Sequence, residues 1–375
     1  MFKIAFDAKR LFLNFTGLGN YSRTLVKDLA EQFPEHAYYL YSPSIRPHQQ
    51  NQFFIDHPSF FLRQSRLMPG ALWRSLGLKK DLKKDGIQIY HGLSNEIPQG
   101  IAQSSIKSIV TIHDLIFKTF PQQFPWLDQK IYDAKFRYAC QNADQIIAIS
   151  QQTKKDIIYY YQIPEEKIEV IYQSCAGVYD TVVSQQQINA VRQKYELPEE
   201  YLLYVGAINE RKNLLSILKA LPLLPKSLSL PLVVVGRGKK YQTLVQVYAQ
   251  QNQLNDQIHW LGQASQADLP TLYQAARLFI YPSFYEGFGI PIIEALHSRT
   301  PVITSKVSAL PEAAGPGAHY IDPKQPEDLA QGITTVLSDE SYARQLVEKG
   351  YQHVLQFNNL ESSKQVMNLY LKLFN

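Results

Sequence analysis

Residues 179–206 read YDTVVSQQQINAVRQKYELPEEYLLYVG, and this stretch divides the chain. Its first part is polar and runs through Pro198, whereas its last six residues form an apolar run ending on Gly206. Upstream, short apolar or β-branched runs (KIAFDA, QIYHG, SIVTIHD, QIIAIS, IEVIY) alternate with longer amphipathic segments. Downstream the alternation restarts at YLLYVG and continues through LVVVG, IHWLG, LFIYPS and PVITS. Alternation of this kind predicts βαβ units and parallel sheets. The interruption therefore predicts an α/β chain of two Rossmann-like, doubly wound parallel-sheet domains, over residues 1–185 and 186–355. Residues 356–375 contain LESSKQVMNLYLKLF, whose apolar spacing fits an amphipathic helix with no readable partner. Ligands of such sheets bind at the carboxyl ends of the strands, which predicts a cleft between the halves.

The bulk numbers agree with this division. A chain of 375 residues is long enough for two cores. Its net charge of +5 is mild and does not by itself suggest nucleic acid, since such a surface needs clustering as well as excess, and no nucleic-acid partner is expected. Lys3 and Asp7 break the first apolar stretch, which leaves no signal-peptide core. There is no uncharged apolar run of about 18 residues to span a bilayer. Cys140 and Cys175 provide neither a disulfide framework nor a CxxC pair, and a cytoplasmic protein fits these facts.

Four stretches carry candidate chemistry. In FDAKRLFLNFTGLGNYSRTLVKDLA, Gly17 and Gly19 sit in a loop before a helix expected to begin near Tyr21. Such a loop can bring backbone N–H groups to a phosphate or sugar, or it can be a tight turn only. It lacks the full G-x-G-x-x-G of a dinucleotide site. In SIVTIHDLIF, His113 and Asp114 end a strand, where they either face a ligand or serve the structure. Nearby residues do not supply metal-ligand spacing.

The third stretch is YLLYVGAINERKNLLSIL, in which Gly206 ends a strand and Arg211-Lys212 precede a helix. Two cations there can neutralise a diphosphate, although a solvated basic helix start is the plainer reading. Cations are disfavoured at a helix N-terminus by its dipole, and that conflict weighs toward function. The fourth is YPSFYEGFGIPIIEAL, residues 281–296, read as strand, glycine turn and helix. Gly287 and Gly289 allow close approach of the main chain to a ligand phosphate. Glu294 then suits a ribose diol, or simply stabilises the helix dipole, and Glu286 suits a sugar hydroxyl or a developing positive charge. No Asp-x-Asp occurs, so the diphosphate has no obvious metal clamp.

Together, GLGNYSR, VTIHDLIF, ADQIIAISQQTKKDI, GAINERKN, YPSFYEGFGIPIIEAL and PVITSKVSALPEAAG resemble glycosyltransferase family 4 over nearly the whole chain. The most specific element is Glu286-x7-Glu294. The resemblance implies the GT-B fold, a nucleotide-diphosphate sugar as donor, and transfer with retention to a saccharide or lipid-linked acceptor. It implies no cofactor and no metal. It further implies that Glu294 holds the ribose, while the backbone of Phe288, Gly289 and Ile290 contacts the sugar or diphosphate. Glu286 then bonds the sugar, Arg211 and Lys212 grip the diphosphate, and His113 contacts the transferred sugar. Gly17, Gly19 and Asn20 belong to a first-domain loop that closes over the phosphates, beside Gly206 at its strand end, and the last helix returns to the first domain.

IQIYHGLSNEIP and VTIHDLIF look most like mannosyltransferase-type members that build bacterial surface polysaccharides. Gln173 and Ser174 stand where many members carry Asn-Gly, a departure read as touching none of the site residues. Substituting Lys212 or Glu286 by Ala is expected to cut turnover at least 100-fold with little change in melting temperature. The segment RQSRLMPGALWRSLGLKKDLKKDG, within residues 63–84 and their flank, clusters Arg63, Arg66, Arg74, Lys79, Lys80, Lys83 and Lys84 with Leu72, Trp73 and Leu76. It reads either as a solvated helix face or as a peripheral contact with the inner face of the plasma membrane. Rival readings are a nucleotide-sugar epimerase or phosphorylase of similar fold, and an inactive sugar-binding protein.

Overall fold

The computed structural model describes residues 1–65, 68–175 and 177–374. It contains two compact units, Met1–Ser174 with Phe357–Asn375, and Cys175–Gln356. The first unit thus ends at Ser174 rather than 185, because the segment after Cys175 is bonded into the second. Asp180 Oδ1 meets His297 Nδ1 at 3.1 Å, and Val183 N donates to Gln274 Oε1 at 3.0 Å.

The first unit is built on strands β1 (Lys3–Asp7), β2 (Ala37–Ser42), β3 (Phe60–Gln64), β4 (Ile89–Gly92), β5 (Lys107–Ile112), β6 (Gln145–Ala148) and β7 (Ile168–Val170). They form one parallel sheet in the order β3-β2-β1-β4-β5-β6-β7. Alternate side chains face opposite layers. Ile4 and Phe6 join Leu25, Val26 and Leu29 of the helix Gly17–Gln32, whereas Ala5 faces Trp73, Leu78 and Leu82 across the sheet.

The closing helix Asn359–Lys372 completes the first of these layers with Val366, Met367, Leu369 and Tyr370. A buried polar chain ties it to the sheet. Tyr370 Oη lies 2.6 Å from His91 Nδ1, His91 Nε2 lies 2.8 Å from Thr111 Oγ1, and that hydroxyl lies 3.0 Å from Tyr21 Oη. Burial depresses His91 to about 3, so the imidazole is a neutral relay between hydroxyls.

The second unit uses β8 (Leu202–Val205), β9 (Leu232–Val235), β10 (Ile258–Gly262), β11 (Leu278–Tyr281), β12 (Val302–Ser305) and β13 (Ala318–Ile321). The order is β10-β9-β8-β11-β12-β13, again parallel. The strand order switches sides between β1 and β4 in one sheet and between β8 and β11 in the other, all strands staying parallel. Crevices at such switch points are where open α/β sheets bind ligands.

The basic segment resolves into mixed roles. Arg74 is buried and doubly bonded to Asp7, with Glu96 Oε2 3.4 Å from its Nη1. Arg63 pairs with Asp85 at 2.8 Å, Lys79 Nζ donates to the Gly100 carbonyl, and Trp73 is buried with Nε1 bonded to Asp81. Leu72, Leu76, Lys80, Lys83 and Lys84 remain exposed, and Arg66 lies outside the described residues. Among the described residues no helix is long and apolar enough to cross a membrane.

Candidate active site

In the second unit the site grows from two adjoining strand ends, those of β8 and β11. β8 stops at Val205, and Gly206 packs against the Lys212 side chain, where an added Cβ would sit 3.2 Å from Lys212 Cδ. Arg211 and Lys212 lie in the short 3₁₀ turn Glu210–Lys212, ahead of a helix that starts at Leu214. Two asparagines shape that turn. Asn209 Oδ1 accepts from Lys212 N at 3.1 Å, and Asn213 takes φ 56° while its Nδ2 donates to the carbonyls of Pro282 and Pro323.

Both cations point at one carboxylate. Arg211 Nη1 and Lys212 Nζ lie 2.8 and 2.9 Å from Glu286 Oε1, which also accepts from Tyr281 Oη at 3.0 Å and Ser283 Oγ at 2.9 Å. The conflict of cations near a helix start is therefore answered by an acid from the next strand. Burial alone would raise the Glu286 carboxyl; Lys212 and Arg211 overcome it and pull it down to about 2. Burial lowers Lys212, opposed by Glu286. Among the described residues Glu286 Oε2 takes no protein donor, so an acceptor oxygen remains for a ligand.

The turn after β11 leads into the helix Ile290–His297, with Phe288 buried and Pro291 in the first turn. Gly289, at the N-cap, has φ 127°, and an added Cβ would lie 3.2 Å from that of Ala313. Both its angle and its space demand glycine. Ile290 opens the helix and Glu294 follows one turn in. Burial pushes the Glu294 carboxyl up to about 7, against hydrogen bonds from Tyr273 and Tyr179 that pull the other way. Tyr273 Oη donates to Oε2 at 2.9 Å.

In the first unit, Gly17 and Gly19 are not in a loop; the helix already begins at Gly17. Gly19 is needed because an added Cβ would fall 1.7 Å from the Asn14 carbonyl oxygen. Asn14 Oδ1 caps the turn, taking Thr16 N at 2.9 Å and Gly19 N at 3.2 Å. Asn20 is exposed and accepts from Arg23 Nη2 at 2.6 Å.

His113 follows β5, buried, with Nε2 2.9 Å from the Leu93 carbonyl and its backbone N donating to Asn95 Oδ1. Burial lowers the imidazole to about 4, a carbonyl bond to Leu93 partly opposing. Its Nδ1 is 2.8 Å from Gln173 Nε2. This corrects the sequence reading, because Gln173 does touch a candidate site residue.

The structure thus gathers Arg211, Lys212 and Glu286 into one cluster, sets Glu294 at the far end of the glycine turn, and places His113 and the Gly17–Asn20 turn in the first unit. Tyr281, Ser283, Tyr273, Tyr179 and Gln173 were not singled out as site residues. Tyr281 and Ser283 were visible as polar groups at a strand's carboxyl end; Tyr273 and Tyr179 carried no local signal.

Comparison with known proteins adds independent lines. A family model described as Glycosyltransferase Family 4 matches residues 15–174, and one described as Glycosyl transferases group 1 matches residues 187–353. The chain is 30% identical to O-antigen chain mannosyltransferase B of Escherichia coli, covering 98% of this chain and 99% of that one. Among solved structures, sucrose-phosphate synthase from Thermosynechococcus elongatus matches with a TM-score of 0.81 at 22% identity, covering 100% of this chain and 99% of that one. Anabaena Alr3699/HepE in complex with UDP and glucose matches with a TM-score of 0.77 at 17% identity, over 99% and 100%.

Proposed function

Because the chain belongs to glycosyltransferase family 4, with the GT-B fold, we propose that it transfers a hexose, mannose in our reading, from a nucleoside-diphosphate sugar. The acceptor is a saccharide or a lipid-linked saccharide in cell-surface polysaccharide synthesis. The name of the Escherichia coli relative supports the sugar and the setting. The observation that carries the site reading is the Arg211–Lys212–Glu286 cluster at the β8 and β11 strand ends.

Two cations against one ionised carboxylate leave one positive charge in excess, suited to the negative charge that grows on a departing diphosphate. Removing one such stabilising group typically costs roughly 3 to 4 kcal/mol of the barrier. That charge falls on Arg211 and Lys212 in this reading, and no metal is required. Glu286 Oε2 accepts a hydroxyl of the transferred sugar, and its charge faces the oxocarbenium-like anomeric carbon. Glu294 takes the ribose diol, the backbone at Phe288, Gly289 and Ile290 lines the path between them, and Gly206 leaves room for Lys212. His113 serves the transferred sugar, and the Gly17, Gly19 and Asn20 turn the phosphates. Transfer proceeds with retention, the leaving phosphate accepting the acceptor's proton.

The site of action is the inner face of the plasma membrane. Exposed Leu72 (52%) and Leu76 (55%) precede exposed Lys80, Lys83 and Lys84, and a second apolar face on the helix Trp126–Asn142 presents Trp126 (73%), Leu127 and Ile131. Aromatic and aliphatic groups beside cations suit anionic lipid. Flotation with anionic vesicles at low salt tests this; no binding rejects it.

A thermal-shift panel of GDP-, UDP- and ADP-sugars without added metal tests the donor site. One nucleotide should stabilise the chain, by about 2.7 kcal/mol at a hundredfold excess over Kd. Incubation with a saccharide acceptor should then lengthen it, and NMR of the new linkage should show the donor's anomeric configuration. No stabilisation by any nucleotide sugar, or a product with an epimerised donor and no lengthened acceptor, overturns the reading.

A further inference from the structure

We propose that Gln173 is a specificity-determining residue for the transferred sugar, reading one hydroxyl through its amide oxygen while His113 holds that amide in place. The inference rests on the glycosyltransferase reading above. It also reverses the order of contact within it, since His113 then acts through Gln173.

The hydrogen-bond pattern fixes the direction of each group. His113 Nε2 faces the Leu93 carbonyl at 2.9 Å, and a carbonyl only accepts, so the ring proton sits on Nε2. Nδ1 must then accept, and Gln173 presents its NH₂ to it at 2.8 Å. With both ring nitrogens engaged, the imidazole has no polar atom left for a sugar. Its neighbours keep it there: Asn95 Oδ1 holds the His113 backbone N–H at 2.9 Å, and the Tyr21 ring stands edge-on at 4.8 Å. A ring kept neutral by burial also brings no second positive charge to a carbon that is becoming cationic.

Gln173 has the polar capacity that His113 lacks. It follows β7, at the carboxyl end of the same sheet as His113 and Leu93, and it is buried to 9% exposure. Among the described residues its Oε1 takes no protein donor. An amide oxygen with an open lone pair on a largely buried side chain suits a hydroxyl hydrogen, and a ligand lacking that hydroxyl forgoes the bond.

The experiment uses the full chain and a set of donor analogues deoxygenated at one sugar position each. In the wild type, one deoxy position should lower kcat/KM at least about tenfold. In Gln173→Leu the penalty at that position alone should fall to near one, while nucleoside-diphosphate binding by thermal shift stays as in the wild type. If every deoxy penalty survives the substitution, or all shrink together, Gln173 reads no hydroxyl. A second variant guards against poor folding. Gln173→Glu places a carboxylate on Nδ1, which should draw a proton there and bring a His113 titration into the assay range, visible in the pH profile of kcat/KM. ¹⁵N NMR of histidine in the free wild-type chain should show the Nε2–H tautomer for His113, and an Nδ1–H tautomer rejects the proposal. That measurement needs no donor, so it separates failure of this inference from failure of the glycosyltransferase site reading.

Discussion

Glu286 and Glu294 bracket one glycine turn, and their surroundings shift their carboxyls in opposite directions. Glu286 Oε1 gathers Arg211, Lys212, Tyr281 and Ser283, and its carboxyl sits near 2. Glu294 has phenol donors, Tyr273 and Tyr179, and burial carries it to about 7. The turn between them is the same for both. What differs is which segment reaches each acid, since the loop after β8 delivers its two cations to Glu286. Two acids pushed apart in this way suit the two tasks proposed for them, a fixed negative charge at one end and a proton-sensitive grip at the other.

The comparison can be broken most severely at Glu286. Glu286→Ala should cut turnover at least 100-fold. The sequence alone suggested little change in melting temperature, but the structure buries this acid against two cations. Removing one partner of a buried ion pair typically costs about 3 to 5 kcal/mol, so urea denaturation should show a clear loss of stability. Next comes Lys212→Ala, with a turnover loss of the same order. Because Arg211 still pairs with Glu286, its loss of stability should be smaller than that of Glu286→Ala in the same denaturation assay.

At Glu294 the expected effects are gentler and depend on pH. A ribose diol donates to the ionised carboxylate, so donor binding should release a proton and tighten as pH rises from about 6 to 8. Calorimetry in buffers of different ionisation enthalpy would detect that release. Glu294→Gln should lose roughly tenfold in donor affinity, about 1.4 kcal/mol, together with the pH dependence. Stability runs the other way. The folded carboxyl titrates above its ordinary 4.5, so between 4.5 and about 7 the folded chain holds a proton that the unfolded chain has released. This contribution is full below 4.5 and lost as pH rises through 7. The melting temperature should therefore fall more across that range in the wild type than in Glu294→Gln.

Tyr273→Phe sharpens the contrast by a smaller step. It removes a bond that lowers the Glu294 carboxyl, so the pH midpoint of donor binding should move up, with a few-fold loss of affinity near neutrality. A metal chelator should have the smallest effect of all. If the diphosphate charge falls on Arg211 and Lys212 as proposed, EDTA should leave turnover unchanged, and a loss restored by Mg²⁺ would show a metal to be needed.

Much of the fold was legible where apolar runs are dense. KIAFDA, SIVTIHD and LFIYPS became β1, β5 and β11 because their side chains are buried on both faces of parallel sheets. Three strands were missed for local reasons. AYYLYS (β2) is rich in tyrosine, which suits several settings. FFLRQ (β3) overlaps the start of the basic segment at Arg63, and AHYI (β13) interleaves half-buried His319 and Tyr320. Helix entry was misjudged at Gly17, since two glycines argue for a loop until Asn14 is seen capping the first turn.

By itself the sequence determined two parallel α/β units, the membership in glycosyltransferase family 4, and the residue types grouped at the strand ends. Periodicity and motif spacing are local, and they survive without knowledge of contacts. Only the tertiary structure decided that Arg211 and Lys212 share Glu286, that two distant tyrosines hold Glu294, and that Gln173 occupies His113. Each of those facts joins side chains from different elements of the fold. Charge state and hydrogen-bond capacity depend on burial and on neighbours within a few ångströms, and chain order does not encode either one.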